Sequence, residues 1–422
     1  MPYVQSSITG TIRGLIVPIY APSVLAAIAR GGALIALPLF ALEIGGGPAL
    51  AAGVVGLRAA GTMAANLPSG FFASKFGDKV VMLAGLAILV AALGVLTGYA
   101  SAVTLLISSF VLGVGSGSWI MARLLHITET VRLEQRGRVI SVLAGIERGG
   151  TLVGPVLAGV AIQTLGYRVV FVSVGVLFLV ALLVVLWKTS RAHVRRETRR
   201  TLSIIQVVVR FRDTLLKGGS VMLFLSYLRN ARMFLLPVWG ATIGLSPGEI
   251  GLVVSLSSAI DMAMFLPAGM ILDHIGRKTN LIACLLLLSI ATALLPMTNG
   301  FLTFLLVAML AGLGNGFGTG IFMTLGGDFA PRYGRSEFLG VWRFMGDFGG
   351  VVSPFAIGSL AQATSMLVAC MSSGALGCFG AILALAFIPE TLRAYRIRRE
   401  LQESGIPRET DSESGSRSES RG

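Results

Sequence analysis

Long, mostly apolar stretches alternate with short polar or charged connectors along nearly the whole chain. Six run near 15–42, 48–73, 80–99, 102–127, 138–163 and 169–187, and six more near 218–243, 247–272, 280–297, 300–327, 338–363 and 365–388. About 20 apolar residues in a helix cross the hydrocarbon layer, and a chain in lipid must satisfy its own backbone N–H and C=O groups. The pattern therefore predicts an all-α membrane protein with twelve transmembrane helices. It also divides the chain into a six-helix bundle over 1–187, a basic linker over 188–217, a second six-helix bundle over 218–390, and a tail over 391–422. The tail is rich in Ser, Glu and Arg and is expected to be disordered.

The two sets of stretches are related by a constant shift. Arg30 and Pro38 become Arg229 and Pro237; the run ending at Gly70 becomes the run ending at Gly269; Gly113, Gly115 and Gly117 become Gly312, Gly314 and Gly316; Pro155 becomes Pro354. An ungapped repeat of this length points to a duplicated six-helix unit, hence two pseudo-symmetric bundles with a pathway between them.

Composition agrees: 54% of residues are hydrophobic and 13% charged, against roughly 25% charged in a soluble domain. The 54 glycines suit helices that pack closely in lipid. Net charge is +14, but the basic residues sit in connectors and not among aromatics, so they read as membrane-surface charge and not as a nucleic-acid face. They fall on alternate connectors: Lys75 and Lys79; Arg132, Arg136 and Arg138; the linker; Arg277 and Lys278; Arg332 and Arg335; and Arg393 to Arg399. Short cytoplasmic loops are enriched in Lys and Arg, so both termini are expected in the cytoplasm of a cell membrane, the inner membrane if the protein is bacterial. The start, Met1 to Thr11, lacks the features of a removable signal peptide. Cys284, Cys370 and Cys378 lie in apolar runs without metal-ligand spacing.

The connector after the eighth stretch reads Gly269-Met-Ile-Leu-Asp273-His-Ile-Gly276-Arg277-Lys278, which resembles the signature G-x-x-x-D-x-x-G-R-[RK] of the major facilitator superfamily. In the first half the same place holds Gly70, Ser74, Gly77, Asp78 and Lys79, with Ser74 standing for the aspartate and Asp78 for the arginine. The resemblance implies alternating access between two rocking bundles, and a gate in which Asp273 caps a neighbouring helix and Arg277 pairs with an acid, Glu129 or Asp328. The fifth stretch contains Gly150-Thr-Leu-Val-Gly154-Pro155-Val-Leu-Ala158-Gly159, similar to the antiporter motif G-x-x-x-G-P-x-x-G-G of twelve-helix drug:proton exporters. Ala158 departs from it, and so does Ser109, where such exporters often carry an arginine. Ile388-Pro389-Glu390-Thr391 is faintly similar to a sugar-porter ending that the first half does not repeat.

Charges inside the apolar stretches supply candidate chemistry. An ionised side chain at the bilayer centre costs at least about 2.5–3.5 kcal/mol, so it is expected to pair or to line water. Glu147, Asp347 and Asp261 are the candidates for proton coupling. Arg30, Arg229, Arg232 and Arg123 are candidates for binding substrate, while Arg58, Arg148 and Arg343 are as well explained by structural ion pairs. His126 reads as a structural or interfacial residue. No phosphate-binding G-x-x-x-x-G-K-[ST] run occurs, nor a nucleophile with its base, a metal cluster or a cofactor motif. The chain is thus expected to be a secondary transporter and not an enzyme, working as a monomer on a small molecule with protons as coupling ion. Proton-coupled efflux of organic, drug-like molecules is the first expectation. The alternatives are proton-coupled uptake of an anionic metabolite and a non-transporting sensor on the same scaffold.

Overall fold

A computed structural model describes residues 8–190, 203–331 and 334–390. The expectations for Arg191 to Arg200, Arg332, Arg393 to Arg399 and the tail lie outside these residues.

Twelve helices are long and apolar enough to cross a membrane. In the first bundle these are α1 (Gly10–Glu43), α2 (Gly47–Phe76), α3 (Asp78–Gly98), α4 (Ala102–Thr130), α5 (Leu133–Leu165) and α6 (Tyr167–Lys188). The second holds α7 (Arg212–Thr242), α8 (Pro247–His274), α9 (Arg277–Met297), α10 (Phe301–Phe329), α11 (Arg335–Ala363) and α12 (Met366–Phe387). Their outer faces carry exposed Val, Leu, Ile and Phe, among them Val103, Leu157, Leu306 and Ile382, as a lipid-facing surface requires. Arg212 to Lys217, read from sequence as linker, form the first turns of α7 behind a short helix, Ile204–Arg210. A helix extending past the hydrocarbon keeps its hydrogen-bond ladder while its composition turns polar, so hydropathy does not mark its end.

The duplication is visible in packing. In the first bundle α1 packs on α5 and α6, α2 on α4, and α3 on α4 and α6; in the second α7 packs on α11 and α12, α8 on α10, and α9 on α10 and α12. Equivalent atoms bond alike: Lys79 Nζ donates to the Leu186 carbonyl at 2.8 Å, and Lys278 Nζ to the Leu385 carbonyl at 2.7 Å. Gly77 (φ +92°) and Gly276 (φ +144°) make the equivalent sharp turns α2–α3 and α8–α9, in conformations that L side chains rarely adopt.

The halves differ in the continuity of two helices. Helix α8 is interrupted at Met264 and α10 between Phe317 and Ile321, whereas α2 and α4 are continuous. In α10, Gly318-Thr319-Gly320 replaces the helix-favouring Trp119-Ile120-Met121 of α4; Pro267 of α8 has its repeat equivalent in Pro68, which α2 carries without interruption, so that proline does not account for the break in α8. In α1, Pro18 sits within a π-turn, Ile16–Tyr20.

Between bundles, α5 packs on α8 and α2 on α11. The tightest approaches lie in the half of the membrane remote from the basic connectors. A Cβ on Gly159 would strike the Pro247 carbonyl, one on Gly358 would strike Ala52, and the Val156 N–H is bonded to Ser255 Oγ at 3.1 Å. At mid-span, side-chain hydrogen bonds join the bundles through Asn66 with Asp347 and through Arg148 with Asp261 and Thr319. The tightest contacts between the bundles thus lie on the face remote from the basic connectors.

Candidate functional site

A cavity of about 370 Å³ lies between the bundles at mid-span. Polar groups reach it from both sides: Arg30 on α1, Arg58 on α2, Glu147 on α5, Asn230 on α7 and Asp347 on α11. Leu34, Val55, Ile120 and Met233 make its apolar wall. Few convergent polar groups on an apolar surface are what a small-molecule site requires.

Glu147 is held by two arginines. One oxygen pairs with Arg30 Nη2, the other with Arg123 Nη2 at 2.8 Å, and a third of its side-chain surface stays exposed, 33%. Arg123, 5% exposed, stacks its guanidinium over Trp119 at 5.5 Å. Close helix packing makes this possible. Gly31 on α1 abuts the Gly150 carbonyl on α5, and a Cβ on Gly154 would lie 2.6 Å from the Gly32 nitrogen, so the α1 and α5 backbones approach until Arg30 meets Glu147. Gly159, in the same run, faces α8 across the boundary. The antiporter-like run is therefore the packing surface that both positions Glu147 and seals the remote face.

Asp347 accepts a hydrogen bond from Asn66 Nδ2 on the other bundle at 3.0 Å and lies 3.7 Å from Arg343 Nε, one turn away. Arg148, beside Glu147, points elsewhere: its guanidinium bonds Asp261 Oδ1 and Thr319 Oγ1, each at 2.8 Å, and lies over Phe265 at 5.2 Å. The partners of Arg148 lie at or beside the interruptions of α8 and α10.

Two expected substrate ligands do not reach the cavity. Arg229 bonds the Asn315 carbonyl at 3.3 Å, and buried Arg232 bonds Ser257 Oγ at 3.2 Å, both inside the second bundle. Arg229 repeats Arg30, but the position matching Glu147 is Gly346, so the second bundle has no carboxylate to draw that arginine to the wall. Arg123 reaches the cavity only through Glu147.

In the signature after α8, Arg277 takes one of the two acids expected for it. Arg277 Nη1 bonds Asp328 Oδ2 at 2.6 Å, within the second bundle, so this pair ties α9 to α10 and does not bridge bundles. The N-terminus of α9 is capped by Glu390, whose oxygens accept the N–H groups of Arg277 at 3.0 Å and Lys278 at 3.1 Å. In the first bundle the equivalent pair is Asp78 with His126 Nδ1, both buried; Glu129 lies one turn beyond it, because Asp78 offers Glu129 no cation. Gly269 has open space around it. Sequence reasoning missed Asn66, Thr319, Asp78 and Glu390 as partners; Asp78, in the first-half signature, and Glu390, in the sugar-porter-like ending, carried a signal. Among the described residues no group of three or more His, Cys, Asp or Glu is placed to hold a metal.

Comparison with known proteins places this geometry. The sequence model of the Major Facilitator Superfamily matches residues 22–238 and 219–412. The multidrug resistance protein MdtL of Salmonella schwarzengrund is 26% identical over 329 residues, 74% of this chain and 80% of that protein. The MFS-type transporter TwmF of Talaromyces wortmannii is 34% identical over 102 residues, a match spanning 19% of its length. Among solved structures, a D-xylose-proton symporter superposes with a TM-score of 0.69 at 16% identity, covering 88% of this chain and 97% of that one. A POT family transporter in complex with a thioalcohol-conjugated peptide gives 0.73 at 12%, covering 89% and 96%. These likenesses show the fold.

Proposed function

From the premise that this chain belongs to the Major Facilitator Superfamily, we propose that it is a proton-coupled secondary transporter that carries a small organic molecule through the central cavity by alternating access. The family and fold make it a multi-pass transporter and not an enzyme. The observation that carries the coupling is that Glu147 and Asp347 face one cavity from opposite bundles, each held by an arginine and each in reach of water. Rocking the bundles changes what surrounds both acids, which is what proton coupling needs. One proton at about 2.3 kcal/mol per 100 mV supplies roughly 4 kcal/mol at a typical bacterial potential, enough for about a thousandfold gradient.

Export of drug-like molecules is the direction supported by the α5 run and by the likeness to proteins named for multidrug resistance. By the basic-connector pattern the tightly packed face is the outer one, which leaves the cytoplasmic side for loading, as export requires. Uptake of an anion is the second reading, favoured by the excess of arginines over acids inside the membrane-spanning helices. Proteoliposomes of known orientation separate the two. Under an imposed pH gradient, substrate moving against the protons means export and substrate moving with them means uptake. The absence of gradient-driven flux for lipophilic cations, neutral compounds and organic anions alike would overturn the transport reading.

A further inference from the structure

We infer that the central cavity is a site for an organic anion, whose acidic group sits between Arg30 and Arg58, and that Glu147 holds Arg30 when the site is empty. The inference rests on the transport reading and selects the second of its two directions.

Arg58 carries it. Among the described residues its guanidinium makes neither a hydrogen bond nor an ion pair, and the charge acting on it from its surroundings is that of Arg30, another cation. A cation at mid-membrane that has no acid beside it, on the wall of an open cavity, marks the place of an anion from outside the chain. Arg30 adds to this: Nη2 meets Glu147, but Nη1 is buried without a partner. Arg30 and Arg123 thus share the one carboxylate of Glu147 while Arg58 has none, and three guanidiniums less one carboxylate leave a surplus of two positive charges; Asp347 is matched separately by Arg343. A planar guanidinium pairs best with carboxylate, sulfonate or phosphonate oxygens. The apolar wall suits an organic body attached to such a group.

The groups facing Glu147 are Arg30 from α1, Arg123 from α4, Arg58 from α2 across the cavity and Asp347 from α11; Arg148, next to it on α5, is turned to α8. Glu147 and a bound anion therefore compete for Arg30. A proton on Glu147 releases Arg30 to the anion, and an anion that takes Arg30 leaves Glu147 ready for a proton. By reciprocity each binding favours the other by the same factor. Proton and anion load together, which is the logic of symport.

The test measures thermal unfolding of the purified full-length protein with benzoate and benzenesulfonate, with benzamide and benzylamine as neutral and cationic counterparts, at mildly acidic and neutral pH. The two anions alone are expected to stabilise it, and benzoate to bind at least about fivefold tighter at the acidic pH. Arg58→Gln loses the response, Arg58→Lys keeps it, and Glu147→Gln binds benzoate equally at both pH values. Stabilisation by none of the four, no preference for anions, or an unaltered anion response in Arg58→Gln overturns the inference. Flux judges transport separately. Gradient-driven movement of cations or neutral compounds without anions removes the anion site and leaves transport standing, whereas anion binding without any flux does the reverse.

Discussion

Arg148 and Asp347 occupy the same position in the two repeats, and each bridges the bundle boundary with opposite charge: Arg148 to Asp261 on α8 at 2.8 Å, Asp347 to Asn66 on α2 at 3.0 Å. Since α5 packs on α8 as α2 packs on α11, the two bridges are pseudo-symmetric clasps at mid-span. With the Arg148–Thr319 and Val156–Ser255 bonds, they are polar links between the bundles that the proposed rocking would break and remake.

Asp261→Asn leaves Arg148 without its carboxylate in a largely buried setting. Truncating one partner of a buried pair costs up to about 3–5 kcal/mol, and Arg148 is only partly shielded, so the expected cost is at the lower end. The arrangement sealed on the remote face loses population. With Cys378 replaced, Gln163→Cys at that face should react faster with a membrane-impermeant maleimide in the Asp261→Asn background than in its absence; an unchanged rate would show that the clasp does not hold the seal.

Glu147→Gln removes the titratable member of the Arg30, Glu147 and Arg123 cluster. Gradient-driven accumulation should fall to background while exchange of substrate across the membrane at equal pH persists. Asp347→Asn, which keeps a hydrogen-bonding oxygen for Asn66, should retain a larger share of driven flux. Loss of exchange in Glu147→Gln as well would make the residue structural and not coupling.

Arg277→Gln breaks a pair in which Arg277 is buried, at a cost of roughly 3 kcal/mol, read as a lower unfolding midpoint. Glu390→Gln weakens the cap on α9 by about 1 kcal/mol, because a neutral amide still accepts one N–H but loses the charge that favours a helix N-terminus. A larger loss in Glu390→Gln than in Arg277→Gln would contradict this ranking.

Glycines of the two motif-like runs should separate. An added Cβ on Gly154 meets the backbone of Ile28 and Gly32, neither of which can yield, so Gly154→Ala is expected to lower stability by about 1–3 kcal/mol. Gly269, which has nothing within 4 Å of an added Cβ, should accept alanine with little change or a slight gain. Expression and unfolding midpoints of the two variants check this, and equal loss in both would refute it.

Twelve spans, their grouping by six and the family likeness were legible in the sequence, because transfer from water to lipid depends on composition over about twenty residues and not on any neighbour. The repeat carried the equivalence of Lys79 with Lys278 and of Gly77 with Gly276, and the intramembrane acids stood out by their cost alone. What the sequence could not decide was pairing. Glu147 and Arg148 are adjacent on one helix, yet a turn of about 100° sends one into the cavity and the other to α8. Arg30 and Arg229 are repeat equivalents, yet only Arg30 has a carboxylate opposite it. Charge partners in a bundle are set by which helix faces meet, so Arg58 without an acid, Asp78 with His126, and Glu390 on α9 came only with the tertiary structure.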